Sequence, residues 1–353
     1  MSSGAPTASD IPAAAIKPAA GSDWALRLRA NSEYVVIPAF ALLMAALLFA
    51  VFLAAIGKSP VDFVDYVWRG GFGTAFSFQN TLQRSSPLIL TALAVAIPAR
   101  IGLIMIGAEG ALVLGGFAAA AIAVPMVGVV PPIVTMPVMV LAGVAVGAVW
   151  VGIAIMNFFV EGVLRDASNP NKPSTKPIGD AYMVGKIPGT DVHWGFAVGV
   201  LLSIALYVLM TRTTFGFAAR VTGGNFRAAL AQGLPVGKLI VACAMIAGGC
   251  AGLAGYFEVA AIQGRANASL AAGYGFTGIL VSFLARHNPL VIVPIAILFG
   301  GLVASGGLIQ RRMELPDATV LVLQGLIFVV LLASETLYGR FAFFKPIKGR
   351  DRT

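Results

Sequence analysis

The chain has 353 residues, 58% of them hydrophobic and only 11% charged, with a formal net charge of +9 and a mean hydropathy of +0.90. That balance describes a polytopic membrane protein and excludes a soluble enzyme domain. The basic excess does not signal nucleic acid: it sits in tails and in loops beside apolar runs, with Arg340, Lys345, Lys348, Arg350 and Arg352 at the very end, where it orients a membrane protein and meets lipid headgroups.

Residues 1–33 are rich in Ala, Pro and Ser and carry Lys17, Arg27 and Arg29, which reads as a largely disordered cytoplasmic tail. The apolar run 35–56 follows. It is longer than a signal peptide's hydrophobic stretch and starts too far from the N-terminus to be one, so it is read as the first span. At its end, Ile56-Gly57-Lys58-Ser59 has the wording of a phosphate-binding loop, yet Phe52 stands where the leading Gly belongs. It also follows a span instead of a strand, so it is read as a turn. Further apolar runs cover 87–106, 111–130, 132–164, 194–210, 239–262, a shorter 275–285, 289–308 and 318–334. None alternates, so none suits a membrane strand. With roughly 20 residues needed per helical crossing, the expected fold is an all-α polytopic membrane helix bundle of about nine to ten spanning or half-spanning helices. The membrane domain is placed at 34–338 and a basic cytoplasmic tail at 339–353.

The stretch 212–238 carries Arg212, Arg220, Arg227 and Lys238 and no acidic residue, which places it in the cytoplasm. A short helix is predicted at 225–232, with Gly223 and Gly224 before it and Gly233 and Pro235 after it. Such a knob needs a partner to touch, and an energy-supplying protein fits.

Charges inside apolar zones are expensive and face a cavity, a partner or the interface; they are Arg100, Glu109, Glu258 and Glu335. Glu109 lies among Gly102, Gly107, Gly110, Gly115 and Gly116. That glycine density permits a broken helix, whose new N-terminus a carboxylate can accept from. Glu109 is therefore read either as a helix-start residue stabilising the break or as a direct solute contact. Gly143 and Gly147, and Gly248, Gly249, Gly252 and Gly255, predict close helix packing. The sequence from Ala271 to Gly278 precedes a run too short to span, which predicts a broken or re-entrant helix near a translocation path. There Asn267, Tyr274 and Phe276 either meet a polar, ring-bearing solute or form an aromatic interface belt. Cys243 and Cys250 share one apolar run and read as small buried hydrophobes, not a disulfide or metal site. His193 and His287 stand alone and read as loop or interface residues. With no nucleophilic triad and no paired catalytic carboxylates, the chain is expected to transport and to catalyse nothing itself.

Together, 102–117 (GLIMIGAEGALVLGGF), Thr213-Thr-Phe-Gly-Phe217 through Gly223, Asn225, Ala228, Ala229 and Gly233, 251–258 (AGLAGYFE), 273–286 (GYGFTGILVSFLAR) with Asn288-Pro289, and Leu298-Phe-Gly300 resemble a known family. It is the inner-membrane permease subunits of binding-protein-dependent ABC importers, in the ribose, simple-sugar and nucleoside branch. The resemblance covers most of 87–337 in family order, and the Gly-Ala-Glu-Gly wording is most similar to the longer permease of nucleoside-type importers. It implies a dimeric pore made with a second permease, a paralogue or a second copy, a periplasmic or lipoprotein solute-binding partner, and a cytoplasmic ATPase holding ATP and Mg, with no cofactor on this chain. It further implies a bacterial inner-membrane location with both termini inside. ATPase coupling is assigned to Phe215, Gly216, Arg220, Gly223, Asn225, Arg227, Ala228 and Gly233, and the solute path to Glu109, Glu258, Asn267, Tyr274 and Phe276.

Two departures qualify the transfer. Met105 stands where the family commonly has Asn, and a cytoplasmic turn with part of a span is missing between Ala145 and Leu164. The same gap follows from topology: with the tail and 212–238 both inside, an even number of crossings must separate them. The 78 residues of 87–164 cannot hold four crossings of roughly 20 residues with loops. Short, tilted or half-membrane helices are expected within 132–164, followed by a charge-balanced external loop at 165–193. The alternative to an ATP-driven importer is an ion- or proton-coupled secondary transporter using Glu109, Glu258 or Glu335, and a third class is a passive channel.

Overall fold

The computed structural model describes residues 23–103, 107–148, 174–267, 270, 272–316 and 318–335. The chain divides into two compact units, Met1–Met44 with Val329–Thr353 and Ala45–Phe328. In the first, the described residues are helical. The second holds the helices α2 to α11, the end of α1 and the start of α12.

In order, the helices are α1 (Asp23–Ala55), α2 (Pro60–Gly71), α3 (Ala75–Ala99), α4 (Ala108–Met126), α5 (Pro132–Ala148), α6 (Trp194–Arg212), α7 (Thr214–Gly224), α8 (Phe226–Ala231), α9 (Val236–Phe257), α10 (Tyr274–Leu284), α11 (Pro289–Met313) and α12 (Ala318–Glu335). A π-helical turn, Glu258–Gln263, prolongs α9. Among the described residues, six helices are long and apolar enough to cross a bilayer, and the shorter apolar ones are Pro132–Gly147, Tyr274–Leu284 and Ala318–Ser334. The all-α membrane bundle expected from the sequence is what forms.

Caps and breakers explain the boundaries. Ser59 accepts from the Asp62 N–H with Pro60 next to it, Thr74 accepts from Ser77, and Asn288 accepts from Leu290 ahead of Pro289, each occupying an amide that a helix start leaves open. α11 ends at Glu314 in the left-handed region. One expected boundary moves: the run read at 87–106 is α3, which starts at Ala75 and stops at Ala99. Its first part, with Gln79, Asn80, Gln83, Arg84, Ser85 and Ser86, is too polar to stand out as apolar, and Gly102 at φ 79° closes the far end.

α3 is the central post, packed against α6, α9, α10 and α11. Beside it α4, α5 and α9 press together through glycine. A Cβ on Gly147 would sit 2.6 Å from the Gly252 Cα, and Gly252 and Gly255 have no room beside the carbonyls of Gly143 and Leu112. This is the close packing that the glycine spacing predicts.

The hydrogen bonds also sort the loops by end. Val184 N–H donates to Ala260 O at 2.7 Å, Ile178 N–H to Gly264 O at 3.0 Å and Thr175 N–H to Ala266 O at 2.9 Å. The Tyr182 hydroxyl donates to Val130 O at 2.7 Å. Residues 174–193 therefore sit over the end of α9, the end of α4 and the start of α6, whereas α7 and α8 sit at the other end of α6 and at the start of α9. Among the described residues, 174–193 and 212–238 thus lie at opposite ends of the bundle. α5 is a 17-residue helix ending at Ala148; the expectation for the rest of 132–164, and that for Met105, lie outside the described residues.

Candidate functional site

The run read at 275–285 as too short to span is α10, which starts at Tyr274 and has 11 residues, about 16 Å of helix. Its first turn lies deep in the bundle. Tyr274 O accepts from the Thr91 hydroxyl at 3.1 Å, and Thr91 is about 12 Å of helix before the end of α3. A helix start buried there exposes amides with no water to meet them. Glu109, in the first turn of α4, meets them: Oε1 accepts from Gly273 N–H at 2.8 Å and Oε2 from Gly275 N–H at 2.5 Å. Gly275 has no Cβ because Glu109 occupies that space, its Cα 2.6 Å from where a Cβ would lie. Both carboxylate oxygens are thus committed to backbone. Of the two roles open in the sequence, Glu109 takes the helix-start one, though the start it stabilises belongs to α10.

Next to this seat, two adjoining cavities open between α3, α10, α11 and α12. The first, of about 360 Å³, is lined by Arg84, Tyr274, Thr277, Gln310 and Gln324 among others. The second, of about 330 Å³, is lined by Phe276, Leu280, Leu321, Gly325 and Phe328, and shares Thr277 and Gln324 with the first. The Thr277 hydroxyl donates to Gln324 Oε1 at 2.8 Å, leaving the buried Gln324 Nε2 without a partner. An unmet buried donor costs about 1–3 kcal/mol. The Arg84 side chain lies near the Tyr274 hydroxyl and the Glu258 carboxylate and interacts electrostatically with both, while its Nε has no partner. Glu258 lies in the π turn and accepts from Gln263 at 3.0 Å.

Of the residues assigned to the path, Tyr274 and Phe276 line the cavities and Glu109 holds the helix that carries them. Glu258 is linked through Arg84, and Asn267 pairs with Ser174 in an isolated antiparallel bridge without lining either cavity. The Glu335 side chain lies outside the described residues. Sequence reasoning missed Arg84, Thr277 and Gln324. Arg84 stood outside the apolar run, and the two uncharged polar side chains raised no alarm inside apolar ones.

The basic knob is two helices, not the single one predicted. Thr213 caps α7 and Asn225 caps α8, the latter accepting from Ala228 N–H at 3.0 Å. Gly216 is buried against the carbonyls of Leu209 and Met210, and Gly223, itself exposed, packs closely on that of Arg100. Arg220 donates to Met210 O. Phe215 and Ala228 are half-buried, Arg227 is exposed, and Gly233 takes φ 75° to close the turn. The apolar groups shown to solvent are Phe217, Phe226 and Leu230, 58%, 50% and 52% exposed. None had been assigned, although apolar residues in a polar loop were the available signal. Beneath the knob, the Arg100 guanidinium donates to His287 O at 3.2 and 2.9 Å. Burial, with Arg220 close by, lowers its pKa.

The model of a family described as branched-chain amino acid transport system / permease component matches residues 77–332. The glucose ABC transporter permease protein TsgB13 of Haloferax volcanii is 30% identical, over 84% of this chain and 87% of its own. The guanosine ABC transporter permease protein NupP of Bacillus subtilis is 26% identical over 76% and 85%. The nucleoside ABC transporter permease protein NupB of Lactococcus lactis is 24% identical over 76% and 83%.

Proposed function

The chain belongs to the branched-chain amino acid transport system / permease component family, and on that premise we propose that it carries an uncharged polar solute, a nucleoside, purine-like compound or simple sugar, through the membrane at the expense of ATP split by a separate subunit. The chain is a multi-pass transport permease; the ATPase, the binding protein and the second permease subunit are the partners this reading assigns. The observation that carries it is the two-helix knob of α7 and α8. It presents Phe217, Phe226, Leu230 and Arg227 outward, and its glycine face is pressed against the Arg100 turn. An apolar and basic surface of that kind supports docking of an ATPase, whose closure would shift α7 and the helices packed on it. The ATPase side is read as cytoplasmic, with 174–193 external and both termini inside.

The cavities beside α10 support the solute reading. They are of a size that takes a small molecule, and the one cation in their lining, Arg84, has Glu258 as its counter-charge. The test is uptake of labelled guanosine and labelled glucose into vesicles holding this chain alone, then this chain with its second permease, ATPase and binding protein. Uptake is expected only from the complete set and only with ATP. Flux through the lone chain that collapses with the proton gradient would overturn the reading in favour of a secondary transporter.

A further inference from the structure

We propose that the groove between the end of α1 and α2 holds one zwitterionic phospholipid, with an acyl chain lying between the two helices and the headgroup at Lys58. The inference goes beyond the importer reading and does not depend on which solute the chain carries.

The groove has a volume of about 170 Å³ and lies between α1, α2, α11 and α12. On α1, Ala46, Phe49, Ala50 and Leu53 fall at i, i+3, i+4 and i+7; on α2, Pro60, Phe63, Val64 and Val67 do the same. Each spacing puts four residues on one helix face. The two faces form the walls, Leu302 and Leu323 complete them, and every lining residue is apolar. Phe49, Leu53, Phe63 and Leu323 are buried and make the floor; at the rim Ala46 is exposed and Val64 is 66% exposed. Phe49 and Phe63 meet edge to face with ring centroids 4.9 Å apart, and the small Ala46 and Ala50 leave the space unfilled. An apolar cavity of about 150 Å³ stays dry and takes an apolar guest. The span that supplies the α1 wall, Val36–Ala55, puts the groove in hydrocarbon, where that guest is an acyl chain. A partner helix, about 10 Å across, is too thick to enter.

The apolar stretch of α1 stops at Ala55, so the turn to α2 follows at headgroup depth. Lys58 stands in that turn, half-buried, and its N–H donates to Leu53 O at 2.9 Å, which fixes it at the end of the groove. Among the described residues, Arg69 pairs with Asp65 at 2.9 Å, while Lys58 and Asp62 enter no ion pair. One cation and one anion are thus left over, four positions apart. A phosphate suits the first and an ammonium group the second, whereas a lipid of net negative charge would meet Asp62 without compensation. Leu323 belongs to the same turn of α12 as Leu321, Gln324 and Gly325, which line the cavities beside α10. An acyl chain in the groove therefore braces the helix that forms their wall.

The experiment is photolabelling of the full chain in detergent with phosphatidylethanolamine that carries a diazirine near the end of one acyl chain, reading labelled peptides. Label is expected to concentrate on 46–53 and 60–67, and to be competed by unlabelled phosphatidylethanolamine better than by phosphatidylglycerol. Ala50→Leu and Ala46→Phe fill the groove and should each cut the label at least about tenfold, the equivalent of roughly two methylenes denied burial. Ala46 is exposed, so the second variant tests the site without disturbing the core. Lys58→Ala should weaken labelling about two- to fivefold, as for a partly solvated charge pair. Label spread evenly over the bundle, equal competition by phosphatidylglycerol, or full labelling of both filled variants would overturn the proposal. So would loss of self-association in Ala46→Phe, which would assign the groove to a second copy of the chain.

Discussion

The two ends of α10 are held by opposite charges, each matched to the helix dipole. At its start, the Glu109 carboxylate accepts from the Gly273 and Gly275 amides. Just past its end, the Arg100 guanidinium donates twice to His287 O, in a turn where Arg286 and His287 both adopt positive φ, 51° and 56°. The surroundings differ. Glu109 is 5% exposed, with both oxygens committed and glycine packed against it. Arg100 is half-buried, with Arg220 near it and Gly223 pressed on its carbonyl. One end is an anchor inside the membrane; the other is a joint next to the knob. On the proposed reading, a push on α7 would reach α10 at its joint, and the cavity-lining residues Tyr274, Phe276 and Thr277 would turn about the anchor.

Removing the anchor is expected to have the largest effect. Glu109→Ala leaves two buried amides unmet and should cost about 3 kcal/mol or more, on the scale of charge-assisted hydrogen bonds in a buried site. Glu109→Gln keeps one acceptor and should fall between. Thermal melting of the detergent-solubilised protein reads this directly, and equal melting of wild type and Ala variant would show that the start of α10 needs no carboxylate.

Loosening the joint should spare the fold and damage coupling. In Arg100→Ala, solute moved per ATP hydrolysed should drop about tenfold, within the usual range of coupling energies between sites, while the ATPase still co-purifies. Arg100→Lys keeps the charge but loses the two-pronged geometry, and should be intermediate. If the Ala variant transports at the wild-type ratio, force reaches α10 by some other route and the asymmetry between the two ends has no mechanical meaning.

How much of this could be read in advance depends on what sets each feature. The helix seam at Gly115, Gly143, Gly147, Gly252 and Gly255 was legible because small residues at fixed spacing are a local signal. So were the break before α10 and a carboxylate seated at a helix start, though not which helix. α2 was not legible: Asp62 and Asp65 interrupt Val61, Val64 and Trp68, and a short amphipathic helix scores as neither span nor loop. The polar beginning of α3 hid Arg84 for a related reason. In water its composition would mean a surface, and the packing of α9, α10 and α11 around α3 half-buries Arg84 and buries the turns from Ser85 onward. Gln324 was hidden by its apolar neighbours; its importance comes from Thr277, 47 positions away in sequence, which no local pattern announces.

Acid should separate the two ends by the smallest margin. Burial lowers the His287 pKa to about 4, with Arg100 and Arg286 adding to the effect. A histidine held neutral in the folded chain and free to protonate near pH 6.5 when unfolded binds fewer protons folded, so its contribution is complete above pH 6.5 and is lost as pH falls towards 4. His193, buried over the other end of the bundle, is also lowered to about 4 and adds loss in the same window. His287→Asn removes only the joint's share, since the backbone carbonyl that Arg100 grips remains. Melting temperature followed from pH 7 to pH 4 should therefore fall less steeply in His287→Asn than in wild type. Parallel curves would mean that the joint carries no titrating strain, and that the loss in acid belongs to His193 and the rest of the bundle.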